Sequence, residues 1–124
     1  MALRSIDLMI GDWVRNDLGE IQRIEEIRQK DVMLSYNDYY SYDEIDQIPL
    51  TTEILEKNGF EKKTFYGIYD DYFDFDIREY SDGIYIATYH SCEFNIPDQT
   101  IHLSWVHELQ HFMRHCGIEK EIEL

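Results

Sequence analysis

The sequence predicts an α+β fold in a single domain spanning 1–124: an N-terminal SH3-like β-meander, a short helix, and an antiparallel sheet with a C-terminal helix packed on it. Three observations predict it. Short apolar runs broken by Gly-containing turns fill 10–36 and 63–90, the pattern of antiparallel strands. Thr51 to Gly59 carries both a start and a stop signal for a short helix. Trp105, Leu109, Phe112 and Cys116 recur at helical spacing. Residues 1–50 and 51–124 are possible subdomains. The weak seam lies near 48–52, where no low-complexity linker intervenes.

Taken in order, Ile10-Gly11-Asp12-Trp13-Val14-Arg15 reads as a first strand. Asn16-Asp17-Leu18-Gly19 turns the chain, with Gly19 where a positive φ is needed. Residues 21–28 have Ile at a spacing of three that also suits a helix, but the stretch between Gly19 and Gln29 is strand-sized. Val32 to Tyr36 forms a third strand. Asn37 to Glu44 is a polar aromatic loop, and Ile45 to Leu50 a short closing strand ended by Pro49.

The helix at 51–58 has Thr51 as cap, Glu53 in its positive first turn, Leu50 placed to staple onto Leu55, and Asn58-Gly59 as its stop. Strands at 64–69, 73–78 and 84–89 build one sheet. Phe73, Phe75 and Ile77 face the core and Asp74, Asp76 and Arg78 face water. Ser81-Asp82-Gly83 is the hairpin turn. A loop at 91–100 leads to a helix over about 103–116, with Ser104 as cap and Gly117 as stop. Ile118 to Leu124 alternates apolar and charged residues and predicts a final strand.

Net charge is −15 with a pI near 4.5. That field disfavours direct binding to nucleic acid and to anionic membranes, and it admits a basic protein partner. A DNA-mimic role is the sharp form of that idea, and solubility the plain one. No apolar run is long enough to span a bilayer, and the first residues lack a signal-peptide pattern, so the expected compartment is the cytoplasm. Cys92 and Cys116 read as plain thiols. Asp70, Asp71, Asp74 and Asp76 lack the spacing, Gly and terminal Glu of a calcium loop.

One string carries named chemistry: His107-Glu108-Leu109-Gln110-His111. On a helix, residues four apart share a face, so His107 and His111 can address one zinc ion with Glu108 as general base. His115 is the nearby third ligand, although imidazoles at i, i+4 and i+8 fan apart by about 40° per step. Against this, a helical wheel set on Trp105 centres the apolar stripe near about 30° and puts His107, His111 and His115 near about 200°, 240° and 280°. The rings are then expected to look outward into water. The sequence reading favours no metal and no cofactor, with zinc as the alternative.

Ile48-Pro49-Leu50-Thr51-Thr52-Glu53-Ile54-Leu55-Glu56-Lys57-Asn58-Gly59-Phe60, Trp105-Val106-His107-Glu108-Leu109-Gln110-His111 and the Gly117 to Ile122 tail resemble a family of small acidic proteins. These are encoded in gut bacteria, often near phage or mobile-element genes, and bring no assigned activity. The resemblance extends to a Gly-Asp/Asn-x-Val opening strand, here Gly11 to Val14. In similar proteins the helical string is often His-x-Leu-Gln-Asn. The resemblance therefore implies that Glu108 and His111 are this chain's variation on a structural helix. It turns attention to His107 and Gln110, which brace neighbouring loops or touch a partner. The expected function is a non-enzymatic interaction or accessory protein, with Tyr39, Tyr40 and Tyr42 as contact residues. The alternative is a minimal zinc hydrolase.

Overall fold

The computed structural model describes residues 7–35, 38–62, 66–69, 73–81, 83–91 and 97–124. The architecture is α+β: antiparallel sheets and two helices, with strand the larger share. The chain forms two compact units. The first is Met1–Ile48 with Trp105–His111, and the second is Pro49–Ser104 with Phe112–Leu124.

In the first unit, β1 (Trp13–Arg15), β2 (Ile21–Ile27), β3 (Asp31–Leu34) and β4 (Tyr39–Ser41) form a meander in sequential order. Its core is Leu8, Val14, Ile24, Val32, Leu34 and Ile45, with Ile27, Tyr40 and Tyr42 packed against it. Alternation explains its strand members, with Ile24 opposite Leu34 and Val32 opposite Ile27 and Tyr40, while Leu8 and Ile45 come from outside the strands. Gly19 has φ 79°. Beside it the Asn16 side chain accepts from the Leu18 and Glu20 N–H groups at 3.0 and 2.8 Å, which fixes the turn. Two expectations are corrected. The aromatic stretch is no simple loop, since β4 pairs Val32 with Tyr40 and Met33 with Tyr39. The meander also does not close into a barrel. After β4 the chain returns to β1 through one residue pair, Arg15 with Asp46, in place of a closing strand. Three-residue strands at both edges are too short to wrap the sheet onto itself.

In the second unit, α1 (Thr52–Lys57) starts where its cap places it. The Thr51 hydroxyl accepts the Ile54 N–H at 3.3 Å. It stops in a Schellman turn, with Gly59 at φ 80° and the Phe60 N–H on the Leu55 carbonyl. The sheet runs β5 (Glu61–Lys62), β6 (Tyr66–Tyr69), β7 (Phe73–Ser81), β8 (Ile84–Ser91) and β9 (Gln99–Leu103). β5 and β9 extend what the sequence predicts. Phe75 and Ile77 are fully buried, and Phe75 meets Phe60 at 6.1 Å and Phe112 at 5.8 Å between ring centres. The expected residues at 63–65, 70–72, 82 and 92–96 lie outside the described ones, as do Tyr36 and Asn37.

Helix α2 (Val106–His115) begins later than expected, with Trp105 rather than Ser104 at its cap. It ends as α1 does, with Gly117 at φ 75° and the Ile118 N–H on the Met113 carbonyl. Its residues up to His111 belong to the first unit and those from Phe112 to the second. The predicted last strand is absent: 118–124 form no ladder. Ile118 and Ile122 are buried while Lys120 between them is exposed, so the spacing that packs is four, not two. The Asn58 side chain takes the strand partner's place for one residue. Its Oδ1 accepts the Glu123 N–H at 2.7 Å and its Nδ2 donates to the Glu123 carbonyl at 2.8 Å. No helix among the described residues is long and apolar enough to cross a membrane.

Candidate functional site

The zinc-like string is the first place to look, and Glu108, Gln110 and His111 each have a structural role in it. Glu108 is the third helical residue of α2. Its carboxylate reaches back to accept the Trp105 N–H at 3.0 Å, the carboxylate half of a capping box. The Val106 N–H is taken by the Ile48 carbonyl at 2.8 Å. Helix starts leave such donors unpaired, so this acid is accounted for by capping.

Gln110 and His111 reach residues about a hundred positions earlier. Gln110 accepts the Trp13 N–H through Oε1 and donates from Nε2 to the Gly11 carbonyl, both at 3.0 Å. His111 Nε2 lies 2.6 Å from Asp12 Oδ2, and that same oxygen accepts the Met9 N–H at 2.7 Å. Asp12 is wholly buried. The strings Gly11-Asp12 and Gln110-His111, both named in the resemblance, are therefore bonded to each other. Asp12 is the residue that sequence reasoning missed. Nothing local marks it, and only its place in the opening-strand string was available as a signal.

The expectation that the histidines look outward is corrected. His107 is 4% exposed and Gln110 is 7% exposed. Only His115 lies on the open surface. A wheel gives the side of a helix that is polar, but not what covers it. Here residues 9–13 cover that side. Burial is the main influence on His107 and pushes its imidazole below the ordinary histidine range. The His107 and His111 rings meet edge to face at 5.5 Å. Among the described residues no three His, Cys, Asp or Glu side chains are grouped to hold a metal ion. His111 Nε2 is already engaged by Asp12 and Glu108 by the helix start.

Gln110→Ala strips two part-buried backbone groups, the Trp13 N–H and the Gly11 carbonyl, of this partner. The expected loss is about 1–3 kcal/mol, read as a shift in urea midpoint at unchanged slope. A neutral outcome would show that water replaces the side chain at Gly11 and Trp13.

A second site is open. A cleft of about 540 Å³ in the first unit is lined by Arg15, Asn16, Asp17 and Gly19 on one side and by Tyr42 to Asp46 on the other. The Asn16 turn builds one wall. The other is a turn closed by the Glu44 N–H on the Ser41 carbonyl and by the Ser41 N–H on the Glu44 carboxylate, both at 3.0 Å. Asp17, Asp43, Glu44 and Asp46 face a single cation, Arg15. None of these five charges has an ion-pair partner within 4 Å among the described residues. Among the described residues the acidic lining is thus left without an ion-pair partner.

The expected contact tyrosines divide. Tyr42 lines the cleft and donates its hydroxyl to the Arg28 carbonyl at 2.5 Å. Tyr40 packs on the core, its hydroxyl 3.5 Å from Asn16 Nδ2. Tyr39 is exposed under the Arg28 guanidinium at 4.0 Å. Arg28 is forked onto Asp31 at 2.6 and 2.8 Å, and this hydrogen bonding holds the Asp31 carboxyl below its usual range.

No family model, no curated protein and no solved structure matches this chain.

Proposed function

We propose that this chain is a non-enzymatic interaction protein, of the mobile-element origin its sequence resemblance implies, that takes a basic segment of a protein partner in the cleft of its first unit. The observation that carries the reading is the set of four carboxylates lining the cleft with Arg15, none of them with an ion-pair partner among the described residues. Carboxylates left unpaired in a concavity attract Lys and Arg side chains and bind them less well as salt rises. In this reading the first unit is an SH3-like meander left open. The capping and bracing roles of Glu108, Gln110 and His111 support a string kept for the fold rather than for hydrolysis.

The test uses a Lys/Arg-rich synthetic peptide as probe, with binding followed by fluorescence anisotropy at low and high salt. Reversing Asp17 and Asp43 to Lys is expected to weaken binding about tenfold at low salt, with little change in thermal stability. Reversing the exposed Glu56 and Glu119 of the second unit changes net charge equally and is expected to leave most of the binding intact. Equal losses from both pairs would reduce the effect to bulk charge and remove the cleft from the account.

A further inference from the structure

We propose that His107, His111 and Asp12 form an acid-operated latch, which holds residues 7–13 on the first turns of α2 and releases them when the His107 imidazole takes up a proton. The proposal does not depend on the acidic cleft.

The geometry has three parts. Asp12, fully buried, joins the segment to the helix through His111 Nε2 at 2.6 Å. His107 stands one turn earlier, 4% exposed, with its ring 5.5 Å from that of His111. Its Nδ1 is buried and has no hydrogen-bond partner among the described residues. A buried nitrogen without a partner costs free energy and asks for an explanation. A proton added to this ring would give a buried cation beside a second imidazole, and the ring would reach water by displacing what covers it.

The groups facing His107 are Asp12 and Asp7 from the covering segment, and His111 and Glu108 from its own helix. Burial is the largest influence and favours the neutral ring, and His111 acts in the same direction. Asp12, Glu108 and Asp7 favour the charged ring, and together they do not outweigh burial. The sign follows. With the latch shut the ring titrates below the usual value of about 6.5, and with it open the ring titrates near that value. Above about pH 6.5 the latch has its full stability. As pH falls below that, the open form binds the proton and the shut form does not, so the ratio of open to shut rises by up to about tenfold per pH unit until the lowered value is reached.

The Met9 and Trp13 amides report the latch, because they donate to Asp12 Oδ2 and Gln110 Oε1. Amide hydrogen exchange of the full chain at pH 7.5 and 5.5, corrected for intrinsic rates, is expected to show their protection falling by up to about tenfold. In His107→Leu the protection at pH 5.5 is expected to stay at its pH 7.5 level. A second measurement keeps the test valid should that variant misfold. In the unaltered chain, the His107 ring resonances are expected to titrate below about 6.5, with protection at Met9 and Trp13 already falling as the pH drops from about 6.5 towards that titration. Protection unchanged between the two pH values would overturn the proposal. So would an equal fall in a folded His107→Leu chain, or a His107 titration that leaves both amides untouched.

Discussion

Phe75→Ala is expected to lower the stability of the folded chain by about 3–5 kcal/mol. The ring is wholly buried on β7 and lies between Phe60 and Phe112 at 6.1 and 5.8 Å. Removing it therefore takes away one buried side chain and the middle of a three-ring stack. The cost combines lost transfer energy with the cavity left behind, since neighbours anchored in a sheet and a helix collapse only in part. Against a total of about 5–15 kcal/mol, this is a large share. Urea unfolding followed by circular dichroism checks it. Phe73→Ala is the companion, half-buried two residues earlier against Tyr89 at 5.5 Å, and is expected to cost clearly less. Similar costs at the two positions would mean that Phe75 does not occupy the centre of this core.

Asp12→Ala is expected to cost about 3–5 kcal/mol, because it removes two hydrogen bonds to a buried carboxylate, each worth about 1.5–3 kcal/mol. The substitution leaves the Met9 N–H and the His111 ring without their shared acceptor at a wholly buried position. Asp12→Asn keeps an acceptor oxygen in place and is expected to cost no more than about half as much. Chemical denaturation of both variants near pH 7.5 separates the contributions. Equal losses would assign the effect to charge rather than to the hydrogen bonds. No loss in either variant would show that the bond from Asp12 to α2 adds nothing to stability.

The local pattern made much of the fold legible. Thr51 and Gly59 bound α1 within one residue, because capping chemistry acts over a few positions and needs no distant partner. The alternation of Phe75 and Ile77 with Asp74 and Asp76 identified a strand and its inner face. Errors arose where tertiary partners decide. The Tyr39 to Ser41 stretch is short and polar, and it is a strand only because β3 is beside it. Alternation in 118–124 promised a strand, but the tail forms no ladder, and the Asn58 side chain bonds the Glu123 backbone in place of a strand partner. The site was legible in its residues but not in its geometry. Spacing of four put His107 and His111 on one helix face, and the resemblance singled out Gln110 beside them. Their burial depends on Gly11, Asp12 and Trp13, and no periodicity links positions so far apart. The cleft drew its acids from two separate turns, each unremarkable when read alone.

Asn58 also bears on how the folded chain ages. Asn-Gly is the dipeptide most prone to spontaneous deamidation, in which the glycine nitrogen attacks the asparagine side-chain carbonyl and closes a succinimide ring. Here the Gly59 N–H is held on the Glu56 carbonyl, and the Asn58 amide is spent on Glu123 and on the Ile54 carbonyl. Ring closure requires both sets of bonds to open. Chemical wear at this dipeptide is therefore a clock that runs mainly while the end of α1 is undone.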